Sequence, residues 1–168
     1  MAKPQTVRLL PLLPEDAAAV AKGEKAFAGK ATDRVTAALI RMVAEETDPL
    51  YRFTTQKAPY LRYFVEDVST GAVVGACGFK DSCRDGSVEI TYFTFPQYEN
   101  QGYGTAMARE LVNLAFAQPA VQVLLAQTRT QQDTSTAILS TLKFEKTGTD
   151  EEADDGPAWN WRLTRAML

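Results

Sequence analysis

The sequence predicts a mixed α/β fold, with antiparallel strands leading into a parallel pair and helices packed against the sheet. Three observations carry this. Two β-rich runs, Tyr60 to Asp67 and Ala72 to Phe79, flank Val68-Ser69-Thr70-Gly71, a hairpin signal. A third run, Val88 to Phe95, follows a turn region at Asp81 to Ser87. From Val88 to Ala126 the chain reads strand, helix, strand, and a crossover of that kind places its two strands parallel.

The elements follow in order. Thr6 to Leu10 reads as a first strand. Pro14-Glu15-Asp16 opens a helix through about Ala21, since proline suits a first turn and acidic residues complement the helix dipole there. Lys22 to Lys30 is polar and reads as a loop. Asp33 has the character of an N-cap, and Val35, Leu39, Met42 and Val43 make one apolar face of a helix to about Glu46. Thr47-Asp48-Pro49 is expected to end it. Leu50 to Pro59 has no clear pattern; packing is the favoured role for its Tyr51 and Phe53. Gly75 and Gly78 weaken the strand that holds them and suggest a bulge. After Pro96 comes a polar turn, then a helix from Gly102 and Gly104 to about Gln118. Val121 to Ala126 is apolar enough for a central strand. A polar turn, Thr128 to Thr134, precedes a short helix from Ser135 to Leu142. Phe144 to Gly148 and the alternating run Trp159 to Leu163 read as strands, with the tryptophans assigned to the core.

Composition bounds the function. A chain of 168 residues is long enough for one domain, residues 1–168, with a sizeable core. The net charge is −3 and the pI about 5.1, which argues against nucleic acid as a partner. No apolar run is long enough to span a bilayer, and Pro11 and Pro14 interrupt the Leu-rich start, so a cytoplasmic protein away from membranes is expected. Cys77 and Cys83 are the only cysteines and there is no histidine, so no metal is expected and both thiols are read as structural. The carboxylates between Thr149 and Gly156 read as a solvated loop.

Phe93 to Ala106 is the stretch with chemistry in it. A strand ends at Pro96, and two glycines open a helix. First-turn N–H groups have no partner within a helix and attract anions, and glycine lets a pyrophosphate come close. A plain tight turn is the alternative reading of the same glycines.

Four stretches in order resemble the GNAT (Gcn5-related) acyl-CoA N-acetyltransferases. The branch that acetylates N-terminal amines of ribosomal proteins is the nearest in look. The stretches are Val7 to Asp16, Val88-Glu89-Ile90-Thr91-Tyr92, Pro96 to Ala106, and Gln132 to Phe144. The family's loop starts with Arg or Gln where Glu99 stands, its Asn is Gln132, its Gly before Phe is Lys143, and its tyrosine acid falls on Leu139.

The resemblance implies an N-acetyltransferase that uses acetyl-CoA as co-substrate, with direct attack by an amine. Backbone groups of Phe93, Thr94 and Phe95 would hold the pantetheine arm where their strand splays from the next. Amides of Gln101, Gly102, Tyr103, Gly104 and Thr105 would hold the pyrophosphate, with Gln132 and Ser135 as further contacts. Ser135 is also readable as a helix N-cap. Glu89 is the candidate base, against the alternative of an exposed strand residue, and Tyr92 is a secondary candidate acid. Lys22 to Pro59 and the loop near Glu151 are expected to wall the acceptor, an amine-bearing small molecule or a peptide N-terminus. A homodimer is compatible with the family. An acyl-CoA-binding sensor without catalysis is the second reading, and a scaffold without nucleotide the third.

Overall fold

A computed structural model describes residues 4–22 and 34–168. The strands are β1 (Val7–Leu12), β2 (Arg62–Asp67), β3 (Val73–Phe79), β4 (Ser87–Thr94), β5 (Val123–Arg129), β6 (Glu145–Asp150) and β7 (Ala158–Thr164). Among the described residues the α-helices are α1 (Pro14–Ala21), α2 (Arg34–Phe53), α3 (Tyr103–Phe116) and α4 (Thr134–Thr141). One seven-stranded sheet runs β1-β2-β3-β4-β5-β7-β6. All its neighbours are antiparallel except β4 and β5, which are parallel as the strand–helix–strand pattern requires.

The sheet separates two cores. Leu12, Ala17, Val20, Ile40, Val43 and Ala44 of β1, α1 and α2 pack with Phe64, Val73, Ala76 and Phe95. Across the sheet, Met107, Leu111 and Ala115 of α3 and Leu139 of α4 pack with Val88, Ile90, Leu124, Ala126 and Leu163. Trp161 is buried there, and its Nε1 donates to Thr128 Oγ1 at 2.9 Å, which satisfies the one polar atom of the ring.

The structure corrects the expected end of α2. The helix runs through Thr47-Asp48-Pro49 to Phe53. Pro49 lacks a donor for the preceding turn. Side-chain bonds brace the turns on either side. Thr47 Oγ1 donates to Val43 O at 2.7 Å, and Arg52 pairs with Asp48 at 2.7 Å. Tyr51 packs as expected, and its hydroxyl donates to Leu12 O at 2.9 Å and accepts from Arg62 N at 2.8 Å, which ties the helix end to β1 and β2. Phe53 does not pack; it is 88% exposed. The expected loop beyond Lys22 and the N-cap at Asp33 lie outside the described residues.

The expected bulge sits beside Gly75. Val65 pairs with Gly75 and Glu66 with Val73, leaving Val74 as the extra residue. Gly75 is needed for another reason as well. A Cβ there would lie 2.4 Å from Phe93 O and 2.8 Å from Met107 Cε, so the bare backbone lets α3 sit close over β3 and β4.

Candidate active site

The site begins where the parallel strands part. β4 pairs with β5 only at Ser87, Val88 and Glu89. Beyond that, β5 stays with β7 as far as Arg129, and β4 stays with β3 as far as Thr94. A gap opens between them. Glu89 O accepts from Lys80 N and Phe95 N donates to Val74 O, so odd-numbered residues here turn their backbone groups toward β3. Strand alternation then aims the amides of Tyr92 and Thr94 into the gap.

The chain leaves β4 through a 3-10 turn at Pro96–Tyr98. Asn100 (φ 58°) and Gly102 (φ 90°) take left-handed conformations that reverse it into α3. Gly102 is the N-cap of α3 and offers no side-chain acceptor. The first amides of α3 therefore have no side-chain cap. The mouth of α4 is different. Asp133 accepts from Thr136 N at 3.1 Å, and Thr136 Oγ1 accepts from Asp133 N at 3.0 Å, a closed capping box. Asp133, and not Ser135, is thus the N-cap; Ser135 lies in the first turn with its side chain free of that duty.

Two cavities meet here. One of about 470 Å³ is lined by Phe93 and Thr94 at the strand edge, by Gly102, Gly104 and Thr105 at the open helix mouth, and by Ile138 of α4. Gly104 allows this closeness, because a Cβ would lie 2.7 Å from Ile138 Cδ1 and 3.3 Å from Thr94 Oγ1. Glu99 lies exposed on the rim. The second cavity, about 780 Å³, lies between the parted strands and the β6–β7 turn. Lys80, Glu89, Thr91, Gln127, Asp150, Glu152, Asp154 and Asp155 are among its walls. Tyr92 and Ser135 line both cavities and mark their junction.

Charge is unevenly spread along this cleft. Glu89 Oε1 is buried and pairs with the Lys80 ammonium at 2.5 Å. Tyr92 donates its hydroxyl to Ser135 O at 3.1 Å. Burial first, then the charge of Asp133, pushes its phenol well above the ordinary value, so it stays protonated. Tyr103 turns its side chain away from the cavity and donates to Asp67 Oδ2. Burial and that bond push its phenol up to about 12.

The structure brings together Glu89, Tyr92, Phe93, Thr94, Gly102, Gly104, Thr105 and Ser135. It does not bring the rest of the expected set to the cavity walls. Phe95 is fully buried and its N–H is used on Val74, which removes it as a donor to a bound arm. Gln101 binds Gln97 O through its side chain, Tyr103 can offer only its backbone, and Gln132 is exposed with Oε1 accepting from Thr136 Oγ1. Leu139 is buried in the core and carries no proton to give. Cys77 is buried, and burial raises its thiol far above the ordinary value, so it stays unreactive.

Sequence reasoning missed Lys80, which carried no motif; the carboxylates of the β6–β7 turn are exposed as expected, and the loop near Glu151 lines the larger cavity. Five carboxylates within eight residues mark that loop in the sequence.

A family model for the acetyltransferase (GNAT) domain matches residues 6–145. No curated protein matches the chain in sequence. Similar solved structures include Mycobacterium smegmatis RimJ in complex with CoA-disulfide, at TM-score 0.68 and 17% identity, covering 99% of this chain and 88% of that one. A chimera of the spermidine N-acetyltransferase SpeG from Vibrio cholerae with hSSAT matches at TM-score 0.67 and 12% identity, over 96% of each chain. The ribosomal-protein-S5-alanine acetyltransferase from Vibrio fischeri matches at 0.63 and 13%, over 94% and 91%.

Proposed function

Because the chain belongs to the GNAT acetyltransferase family, we propose that it acts as one acyltransferase domain and moves an acetyl group from acetyl-CoA to a primary amine. The amine is a small molecule or a peptide N-terminus, a reading supported by the spermidine N-acetyltransferase and the ribosomal-protein-S5-alanine acetyltransferase among the similar structures. One observation carries the reading. An uncapped helix mouth and a one-sided strand edge form one cavity, a carboxylate faces the next, and the two join at Tyr92 and Ser135.

The residues present fit the co-substrate. The amides of Gly102 to Thr105 suit a diphosphate, since they are fixed, unshared by side chains and at the positive end of a helix dipole. The gap-facing backbone of Tyr92 and Thr94 suits an extended amide-bearing arm as an added strand would. Bound there, acetyl-CoA supplies a thioester carbonyl open to attack. The Thr94 amide is placed to stabilise oxygen charge as it develops, an effect of about 3 kcal/mol at well-built sites. Glu89 takes the proton from the arriving ammonium, directly or through a water, because no histidine is present to do so. Ser135, released from capping, has a hydroxyl for the leaving thiolate. Tyr92 is the weaker donor, since its proton is held by Ser135 O.

The test has two arms. Acetyl-CoA raises the melting temperature, and CoA release depends on added amine. Glu89→Gln lowers kcat by about 100-fold or more. No stabilisation at millimolar acetyl-CoA would sink the reading. A second reading is favoured by one observation: Leu139, on which the resemblance puts the family's tyrosine acid, is buried in the core. A regulatory module would bind CoA and transfer to no amine in a broad panel.

A further inference from the structure

We propose that Lys80 is an acetylation site of this protein, modified by its own chain. The inference rests on the acyl-transfer reading and goes beyond it, since the acceptor is supplied by the fold itself. Its geometry starts in strand pairing. Lys80 follows the last residue of β3, and its N–H donates to Glu89 O at 3.0 Å, so the two residues stand side by side on neighbouring strands. Their side chains meet, with the Lys80 ammonium 2.5 Å from Glu89 Oε1. Both line the larger cavity, which reaches Tyr92 and Ser135 at its junction with the smaller one. A primary alkylamine thus stands beside the carboxylate that the proposed reaction uses as base.

Among the described residues, Lys80 is the one lysine that lines either cavity. The other cation of the walls, Arg129, carries a guanidinium that keeps its proton and makes a poor nucleophile. The Lys80 side chain is 43% exposed and ends a flexible four-carbon stem, so it rests on Glu89 without being locked there. The step balances with acetyl-CoA as the co-reactant. The ammonium gives one proton to Glu89, directly or through a water, and the freed amine attacks the thioester carbonyl. The C–N bond forms and the C–S bond breaks. The nitrogen loses a second proton as the adduct collapses, and the departing CoA thiolate takes one up. The product is a neutral amide that no longer pairs with Glu89 as a cation. An amide is too stable to hand the acetyl group on, so the modification changes the cavity and is not a step of turnover. Because the ammonium must first leave its carboxylate, the reaction is expected to be slow and to stop at one acetyl group on Lys80.

The full-length protein is incubated with acetyl-CoA and no added amine, and acetylated positions are mapped over time by peptide mass spectrometry. Lys80 is expected to be modified about tenfold or more faster than the exposed Lys57 and Lys143, which report the uncatalysed background. The fraction modified per unit time should not change with protein concentration, as befits a reaction within one chain. Glu89→Gln should slow labelling of Lys80 and leave the background positions as they were. Lys80→Arg should remove the fast phase from the intact mass. Labelling of Lys80 no faster than the background, or at a fractional rate that rises with protein concentration, overturns the proposal. If an added amine is acetylated while Lys80 stays unmodified, the proposal fails and the acyl-transfer reading stands. If acetyl-CoA neither stabilises the protein nor labels Lys80, both fail.

Discussion

At the scale of single residues, small charges in the cleft decide the most. Glu99, at the position where the resemblance puts an Arg or Gln, sits exposed on the rim of the smaller cavity, the proposed acyl-CoA site. A carboxylate near a diphosphate repels it, and exposure limits the effect to about 0.5–1 kcal/mol. Glu99→Gln is therefore expected to tighten CoA binding about two- to fivefold by calorimetry, and the gain should fade at high salt. Asp67 makes a different prediction. Hydrogen bonds from Ser69 first and Tyr103 next hold its carboxyl below the ordinary value. A depressed folded value means stability that is complete above the unfolded pKa, near 4, and lost as pH falls through the folded one. Asp67→Asn should thus lower the melting temperature at pH 7, and the gap to the parent should narrow on acidification. A constant gap would show that the charge is not what stabilises. The strand that carries Glu89 was readable from its alternation, whereas the choice of Glu89 as base came from the resemblance, and the structure sets it in the wall of the larger cavity. Its ion pair with Lys80 was not readable, since the two are joined by strand pairing across nine positions.

At the scale of elements, the most instructive departures have physical explanations in the structure. Lys143 follows α4 at φ 70°, where Phe144 N bonds Leu139 O at 2.9 Å and Lys143 N bonds Ser140 O at 3.1 Å. This is a Schellman ending, and glycine is the residue that enters it without strain. Lys143→Gly should stabilise the protein by about 1 kcal/mol in denaturant titration, with little change of slope. α1 and α3 were legible because their start signals are local: a proline in the first turn and a glycine before it. The passage of α2 through Pro49 was not. It depends on Tyr51 reaching Leu12 and Arg62, contacts made across the fold and invisible in a local window. The capping box of α4 was missed by two residues, because Asp133, Thr134 and Ser135 are all good cap formers and only the backbone chooses among them.

At the scale of the whole molecule, the order of strands and helices was legible, since apolar periodicity and turn residues mark each piece. The swap of β6 and β7 in the sheet was not, because it is fixed by long-range pairing of β7 with β5. Ligand linkage gives a global check: at 100 times its Kd, acetyl-CoA should add about 2.7 kcal/mol of stability, read as a rise in melting temperature. The junction at Tyr92 and Ser135 also has a kinetic consequence. On the proposed function, donor and acceptor take separate cavities that share only this threshold, so neither must depart before the other enters. Turnover should pass through a ternary complex. Double-reciprocal lines at several fixed acceptor concentrations should converge, whereas a parallel family would mean that an acetylated protein is formed and the compartments are used in turn.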